Sequence, residues 1–271
     1  MMSQASNDEL TRVGPGTPAG AVLRQYWMPA ALSEELDLDR PVVPVTLLGE
    51  RLALFRTEDG TLALIQRACA HRGVDLCNAR VEDGGIRCPF HGWHYDVRGQ
   101  CTEQPGEPEG SRTHEKIQIT SYPVVEKNGI IWTFMGPGKA PAFPAFDCFI
   151  APGSHVFSFK GLWKCNWLQA LEVGIDPVHA SFLHRFQEDE SPADSYGKQF
   201  RDTAADTGIP LTKLLRDFHK PEIRVEETDY GMQLTALRDL KNGQMHVRVT
   251  NQIFPCAIHI PMSREMTITQ W

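Results

Sequence analysis

Four residues in one stretch restrict this chain more than anything else in it. Cys69-Ala-His71 and Cys88-Pro-Phe-His91 form two arms, with sixteen residues between His71 and Cys88, and each arm supplies one thiol and one imidazole. Zinc fingers of the common kind keep their cysteines on one arm and their histidines on the other. Mixed arms suit a two-iron cluster, in which one iron takes both cysteines and the other both histidines. That arrangement raises the reduction potential well above that of all-cysteine ferredoxins. Gly73 and Gly92 put flexible backbone beside the candidate ligands, and Pro89 stiffens the second arm. Backbone N–H groups held close in such loops bond to cluster sulfurs and tune the potential. A structural zinc site is the other reading of the same four residues. Cys77 and Cys101 fall outside the pattern and read as small buried hydrophobes.

Around the arms the sequence alternates in short runs. Val43 to Leu48, Leu52 to Phe55, Leu62 to Ile65, Gly92 to Asp96 and Gly129 to Phe134 are β-branched or aromatic, and glycine-containing turns separate them. The pattern predicts a small antiparallel domain over residues 42–145, preceded by a helical segment over 1–41. The proline- and glycine-rich stretch from Gly136 to Pro152 predicts a boundary, with a second domain over 146–271. In that second part Asn166 to Phe186 reads as helix, Gln187 to Gly208 as a polar insert, and Ile223 to Trp271 as alternating strands. The fold class expected is α+β.

Composition excludes several functions. With 271 residues, a formal net charge of −7 and scattered Lys and Arg, the chain has no basic footprint for nucleic acid or an anionic membrane. The apolar runs are too short to span a bilayer, and the first ten residues do not read as an export signal. Seven cysteines, an odd number, point to a reducing compartment and thiol or metal roles. The expectation is a soluble, cytoplasmic protein. Gly14, Gly16 and Gly20 resemble a dinucleotide fingerprint, but no strand precedes them and Pro15 and Pro18 lie among them, which predicts a turn before a helix. Gly136-Pro-Gly-Lys139 lacks the spacing of a phosphate loop. Neither cluster suggests a nicotinamide or flavin site of the chain's own.

A second group of ligand-type residues is Asp176-Pro-Val-His179-Ala-Ser-Phe-Leu-His184. On a regular helix Asp176 and His179 lie about 60° apart, and His184 about 140° beyond His179. A π-bulge or helix end is needed to turn both imidazoles to one side. Two histidines and a carboxylate with open positions make the facial triad of ferrous enzymes that activate O₂. A hydrogen-bonded surface or capping group is the bland alternative.

Cys-x-His with Cys-Pro-Phe-His-Gly-Trp resembles the Rieske signature. Arg12-Val-Gly-Pro-Gly-Thr-Pro and Arg24-Gln-Tyr-Trp27 resemble the large subunit of Rieske non-haem iron oxygenases of the phthalate-dioxygenase-like group. Asn166-Trp-Leu-Gln169 through His184 is similar to the iron-binding helix of their catalytic domain, a helix-grip-like α+β fold. The resemblance implies a [2Fe–2S] cluster on Cys69, Cys88, His71 and His91, and mononuclear Fe(II) on His179 and His184. It makes Asp176 a bridging carboxylate between His179 and the cluster ligand of a neighbouring subunit in a homotrimer. It further implies a separate NAD(P)H-dependent reductase docking near His71, His91 and Trp93, with O₂ and a small aromatic substrate, and dihydroxylation or monohydroxylation as the reaction. In the family the third iron ligand is an Asp from a later helix, which places it beyond Trp271 and makes the chain an incomplete oxygenase. Glu188, Asp189 and Asp206 are the local substitutes. Two other readings stay open: a Rieske electron carrier without oxygenase activity, which has no use for the Asp176 to His184 group, and a zinc-stabilised binding module, which would be colourless.

Overall fold

The computed structural model describes residues 2–37, 39–184, 211–261 and 267–271. The chain divides into two units, Met1–Leu162 and Trp163–Trp271. The first opens with α1 (Gln4–Thr11) and α2 (Pro18–Leu23). Pro18 occupies the first turn of α2, and the Thr17 hydroxyl accepts the Gly20 N–H at 3.2 Å. The glycine cluster is thus a capped helix start.

Strands follow: β1 (Trp27–Leu32), β2 (Val42–Leu47), β3 (Glu50–Arg56), β4 (Leu62–Gln66), β5 (Arg80–Glu82), β6 (Gly85–Arg87), β7 (His94–Asp96), β8 (Cys101–Glu103), β9 (Ser121–Tyr122), β10 (Val124–Lys127) and β11 (Ile130–Phe134). They form antiparallel sheets in the orders β1-β11-β10, β2-β3-β4-β9 and β5-β6-β7-β8. Leu48-Gly49, Asp83-Gly84 and Asn128-Gly129 each have two successive positive φ angles, the backbone of the two-residue hairpin turn that matches strand twist. β1 falls inside the segment expected to be helical. Pro29 breaks its sequence pattern, and the strand tolerates the proline because it lies at a sheet edge and shifts register between Pro29 and Ala31.

Ala53, Phe55, Ile65, Leu76, Ile86 and Tyr95 anchor a core that also encloses Cys69, Cys88 and Cys101. The proline-rich segment packs with this unit. α3 (Asp147–Ile150) buries Phe149 against Trp132 and Phe143, with ring centroids 5.2 and 4.9 Å away.

The second unit holds α4 (Trp167–Ile175), α5 (Ala180–Leu183) and α6 (Leu211–Asp217), then β12 (Glu222–Thr228), β13 (Gly231–Asp239), β14 (Met245–Ile253), β15 (Ala257–Pro261) and β16 (Thr267–Gln270). The strands pair in sequence order as an antiparallel meander, and α4 packs on β14 and β15. Fold class is α+β, as the sequence predicts.

Candidate metal centres

The two arms close in the same way. Cys69 N–H donates to Val74 O at 2.9 Å, and Gly73 N–H returns to Cys69 O at 2.8 Å. In the second arm Cys88 N–H donates to Trp93 O at 2.9 Å, and Gly92 N–H returns to Cys88 O at 3.1 Å. Each glycine stands four residues after its cysteine, with φ of 69° and 73°, a conformation other residues adopt only with strain. External braces hold both loops. Arg67 forks onto the Asp75 carboxylate, which also accepts the Cys77 N–H at 2.9 Å, and Arg87 donates to Gly92 O at 2.9 Å. The guanidinium of Arg67 holds Asp75 down at about 2.

The donors sort by chemistry. Cys69 and Cys88 are 3% and 2% exposed. Burial raises the proton affinity of the Cys88 thiol and the adjacent Cys69 adds to this, while the N–H groups of Phe90 and His91 point at it and oppose the rise. The imidazoles of His71 and His91 lie 4.4 Å apart, on a more exposed side. His71 is stacked on Trp93 at 4.7 Å, and its Nδ1 is buried without a hydrogen-bond partner. Among the described residues no three His, Cys, Asp or Glu side chains converge on a single ion. Paired thiols inside, paired imidazoles outside and an orphaned imidazole nitrogen suit a bridged two-iron cluster better than one tetrahedral ion.

Tyr95 completes this site and escaped the reading of the sequence. It is fully buried on β7, its hydroxyl 3.2 Å from Cys69 Sγ. Because Ala70 N–H donates to that hydroxyl at 3.1 Å, the phenolic proton is free to point at the sulfur. The signal lay in period: Trp93 and Tyr95 alternate onto one face of the strand that leaves the second arm. Cys101 lies buried in the same core with its thiol toward Glu103 O, and Cys77 lies at its margin.

In the second unit Asn166 caps α4 by accepting the Leu168 N–H at 3.1 Å. The helix stops at Asp176, whose ψ of 111° is extended, because the ring of Pro177 disfavours helical backbone in the residue before it. Asp176 then caps the next turn, with its carboxylate accepting the N–H groups of Val178 at 2.7 Å and His179 at 3.3 Å. His179 Nδ1 bonds the Asp176 backbone carbonyl, and the carboxylate stands 3.9 Å away. Within one chain the expected carboxylate–imidazole bond is thus replaced by a carbonyl one. A carbonyl only accepts, so Nδ1 carries the proton and Nε2 presents its lone pair, the form a metal ligand needs. His184 ends α5, and its ring lies 5.2 Å from that of His179. The helix ends bring the two imidazoles together. Burial, His179 and Arg248 all disfavour protonation of His184. Glu188, Asp189 and Asp206 lie outside the described residues.

Comparison with known proteins agrees with this geometry. Residues 26–123 match the Rieske [2Fe-2S] domain, and residues 133–270, half of the chain, match the family described as LigXa C-terminal domain like. The chain belongs to the Rieske oxygenase family. Its cofactors are a [2Fe–2S] cluster and mononuclear iron. This Rieske oxygenase chain is 36% identical over 270 residues to the phthalate 4,5-dioxygenase oxygenase subunit of Pseudomonas putida, covering 96% of this chain and 58% of that protein. It is 36% identical to the 5,5'-dehydrodivanillate O-demethylase oxygenase subunit of a Sphingobium strain, over 88% of this chain and 53% of that one. The chain spans about half the length of the curated relatives it matches. The crystal structure of dicamba monooxygenase bound to dicamba shares the fold at a TM-score of 0.63 and 24% identity, covering 91% of this chain and 70% of that one.

Proposed function

We propose that the chain serves as the terminal oxygenase component of a ring-hydroxylating system. The observation that carries this reading is the pair of self-closing loops, thiols inward and imidazoles outward, in a chain that also brings His179 and His184 together. In it Cys69 and Cys88 hold the buried iron of the cluster, and His71 and His91 hold the outer one. His179 and His184 hold the mononuclear iron. The bound metals supply one-electron transfer and O₂ activation toward an aromatic substrate. The chain's own residues do the rest. Tyr95 and the loop N–H groups set the charge around the sulfurs, the Asp176 carbonyl fixes the His179 tautomer, and Trp93 holds the His71 ring.

Electrons come from a separate NAD(P)H-dependent reductase, docking where the imidazole edges of His71 and His91 lie beside the exposed Phe90. In a homotrimer the Asp176 carboxylate faces His91 of the partner subunit. In support, the Asp176 side chain is 45% exposed, and His91 lies at the exposed side of its loop. Among the described residues no helix is long and apolar enough to cross a membrane, and we place the system in the cytoplasm. Iron and acid-labile sulfide quantification with electron paramagnetic resonance of the reduced protein tests the assignment. The expected result is labile sulfide with a Rieske-type spectrum that disappears in His91→Ala. Zinc without sulfide, in protein made under iron-replete anaerobic conditions, would rule it out.

A further inference from the structure

Arg87 stands immediately before Cys88 at the end of β6, and its side chain is only 11% exposed. All three guanidinium nitrogens are occupied. Nη1 donates to Gly92 O at 2.9 Å and to Glu103 Oε2 at 2.8 Å, Nη2 donates to Asp83 Oδ2 at 3.1 Å, and Nε bonds the Glu82 carboxylate. These partners come from three places: the β5–β6 hairpin, the end of β8 and the second metal arm. Burial opposes the guanidinium charge, but the bonds to Glu103, Glu82 and Asp83 outweigh it.

Charge balance does not explain the set. One carboxylate would neutralise Arg87, and Asp83 and Glu103 are 71% and 56% exposed, where ion pairs add little to stability. Carboxylates on three sides instead fix the plane of the fork. Glu82 is held in turn. Its second oxygen accepts Arg80 Nε at 3.1 Å, and its backbone carbonyl lies 3.0 Å from His94 Nε2. Gly85, opposite Glu82 in the hairpin, has no room for a Cβ, which would stand 2.7 Å from the His94 ring.

This frame bears on one peptide. Gly92 N–H is held by Cys88 O and Gly92 O by Arg87, and a Cβ on Gly92 would stand 3.1 Å from the Pro105 ring. The next residue is Trp93, whose ring stacks on His71 of the other arm at 4.7 Å with the planes 11° apart. His71 in turn lies 4.4 Å from His91. An unbroken line of contacts therefore runs from Arg87 through backbone and indole to the paired imidazoles.

We infer that Arg87 is a positioning residue for the histidine side of the cluster: it orients the Gly92–Trp93 peptide and, through the Trp93 ring, sets the planes of His71 and His91. The inference rests on the assignment of these histidines as cluster ligands. Fixed imidazole planes keep the ligand set the same before and after electron uptake, as a site that passes electrons onward requires.

The test compares Arg87→Gln, which removes charge and fork, with Arg87→Lys, which keeps the charge and removes the fork, in the full chain carrying its cluster. Pulsed electron paramagnetic resonance of the reduced protein reads the couplings of the two ligand nitrogens, and so the ring planes. A spectroelectrochemical titration reads the potential. Both variants should keep the cluster and broaden the spread of nitrogen couplings about twofold. Arg87→Gln should also make reduction about tenfold less favourable, about 59 mV for one electron, whereas Arg87→Lys should recover the potential but not the couplings. Where neither Arg87 variant holds a cluster, Asp83→Asn decides. Asp83 has φ of 54°, a conformation Asn tolerates, and the change removes one anchor of the fork while leaving the guanidinium in place. It should broaden the same couplings. Parental couplings in Arg87→Lys, or in Asp83→Asn where that variant decides, would overturn the inference. A parent chain without a Rieske spectrum sinks the ligand assignment and this inference with it, whereas a normal cluster with unmoved couplings sinks the inference alone.

Discussion

Single side chains tune the first site, and Tyr95 is the clearest case. A hydroxyl proton directed at Cys69 Sγ stabilises the more negative, reduced cluster. A net hydrogen bond is worth about 1 kcal/mol, and a one-electron potential moves about 59 mV per tenfold, or 1.4 kcal/mol. Tyr95→Phe should therefore lower the midpoint potential by roughly 40 mV in a spectroelectrochemical titration, with the cluster still bound; an unchanged potential would show that the hydroxyl points elsewhere. Asp75 makes a different prediction. Its carboxyl falls from an ordinary value of about 4 to about 2 when folded, so its contribution is complete above pH 4 and is lost as pH falls through about 2. Acid titration of stability should show the parent chain losing its advantage over Asp75→Asn across that window, an advantage of about 1 to 2 kcal/mol at neutral pH. At this scale the four arm residues were legible because their identity and spacing carry the chemistry. Tyr95 was not, since an aromatic residue in a strand announces neither its face nor its partner.

Among the elements, the break between α4 and α5 has the most consequence. Pro177 forces Asp176 out of helical backbone, which frees the Asp176 carbonyl for His179 and sets His184 at a helix end. Pro177→Ala lets α4 continue and should turn His179 away from His184. Ferrous-ion affinity, measured by competition with a chelator, should fall by about tenfold to a hundredfold, with the cluster absorption unaffected. Unchanged iron affinity would mean that the proline is incidental. The sequence already demanded a helix end here, because regular helical spacing splays the two histidines. It could not specify that the backbone oxygen, not the carboxylate, would take the imidazole proton. β1 was hidden for a related reason: Pro29 disguises an edge strand that only its partner β11 reveals.

At the scale of the whole molecule, the proposed electron path crosses between subunits. In the full-length oxygenase, a subunit lacking the cluster through His91→Ala and a subunit lacking the mononuclear iron through His179→Ala should each be inactive alone. Co-assembled, they should regain substrate-dependent cluster reoxidation, since one contributes the donor and the other the acceptor across the same boundary. Stopped-flow absorption checks this, and no recovery in mixed trimers would place the path within one chain. The order of the two halves was legible from the motifs, and assembly was not, since it depends on faces that only meet in a second copy. The twin loops carry one more implication. Each is closed by its own backbone hydrogen bonds and braced by an arginine outside it, so the two arms keep a fixed spacing while the charge between them changes. A rigid cradle of this kind lowers reorganisation on electron uptake, so the distance to the acceptor and the driving force set the rate of transfer.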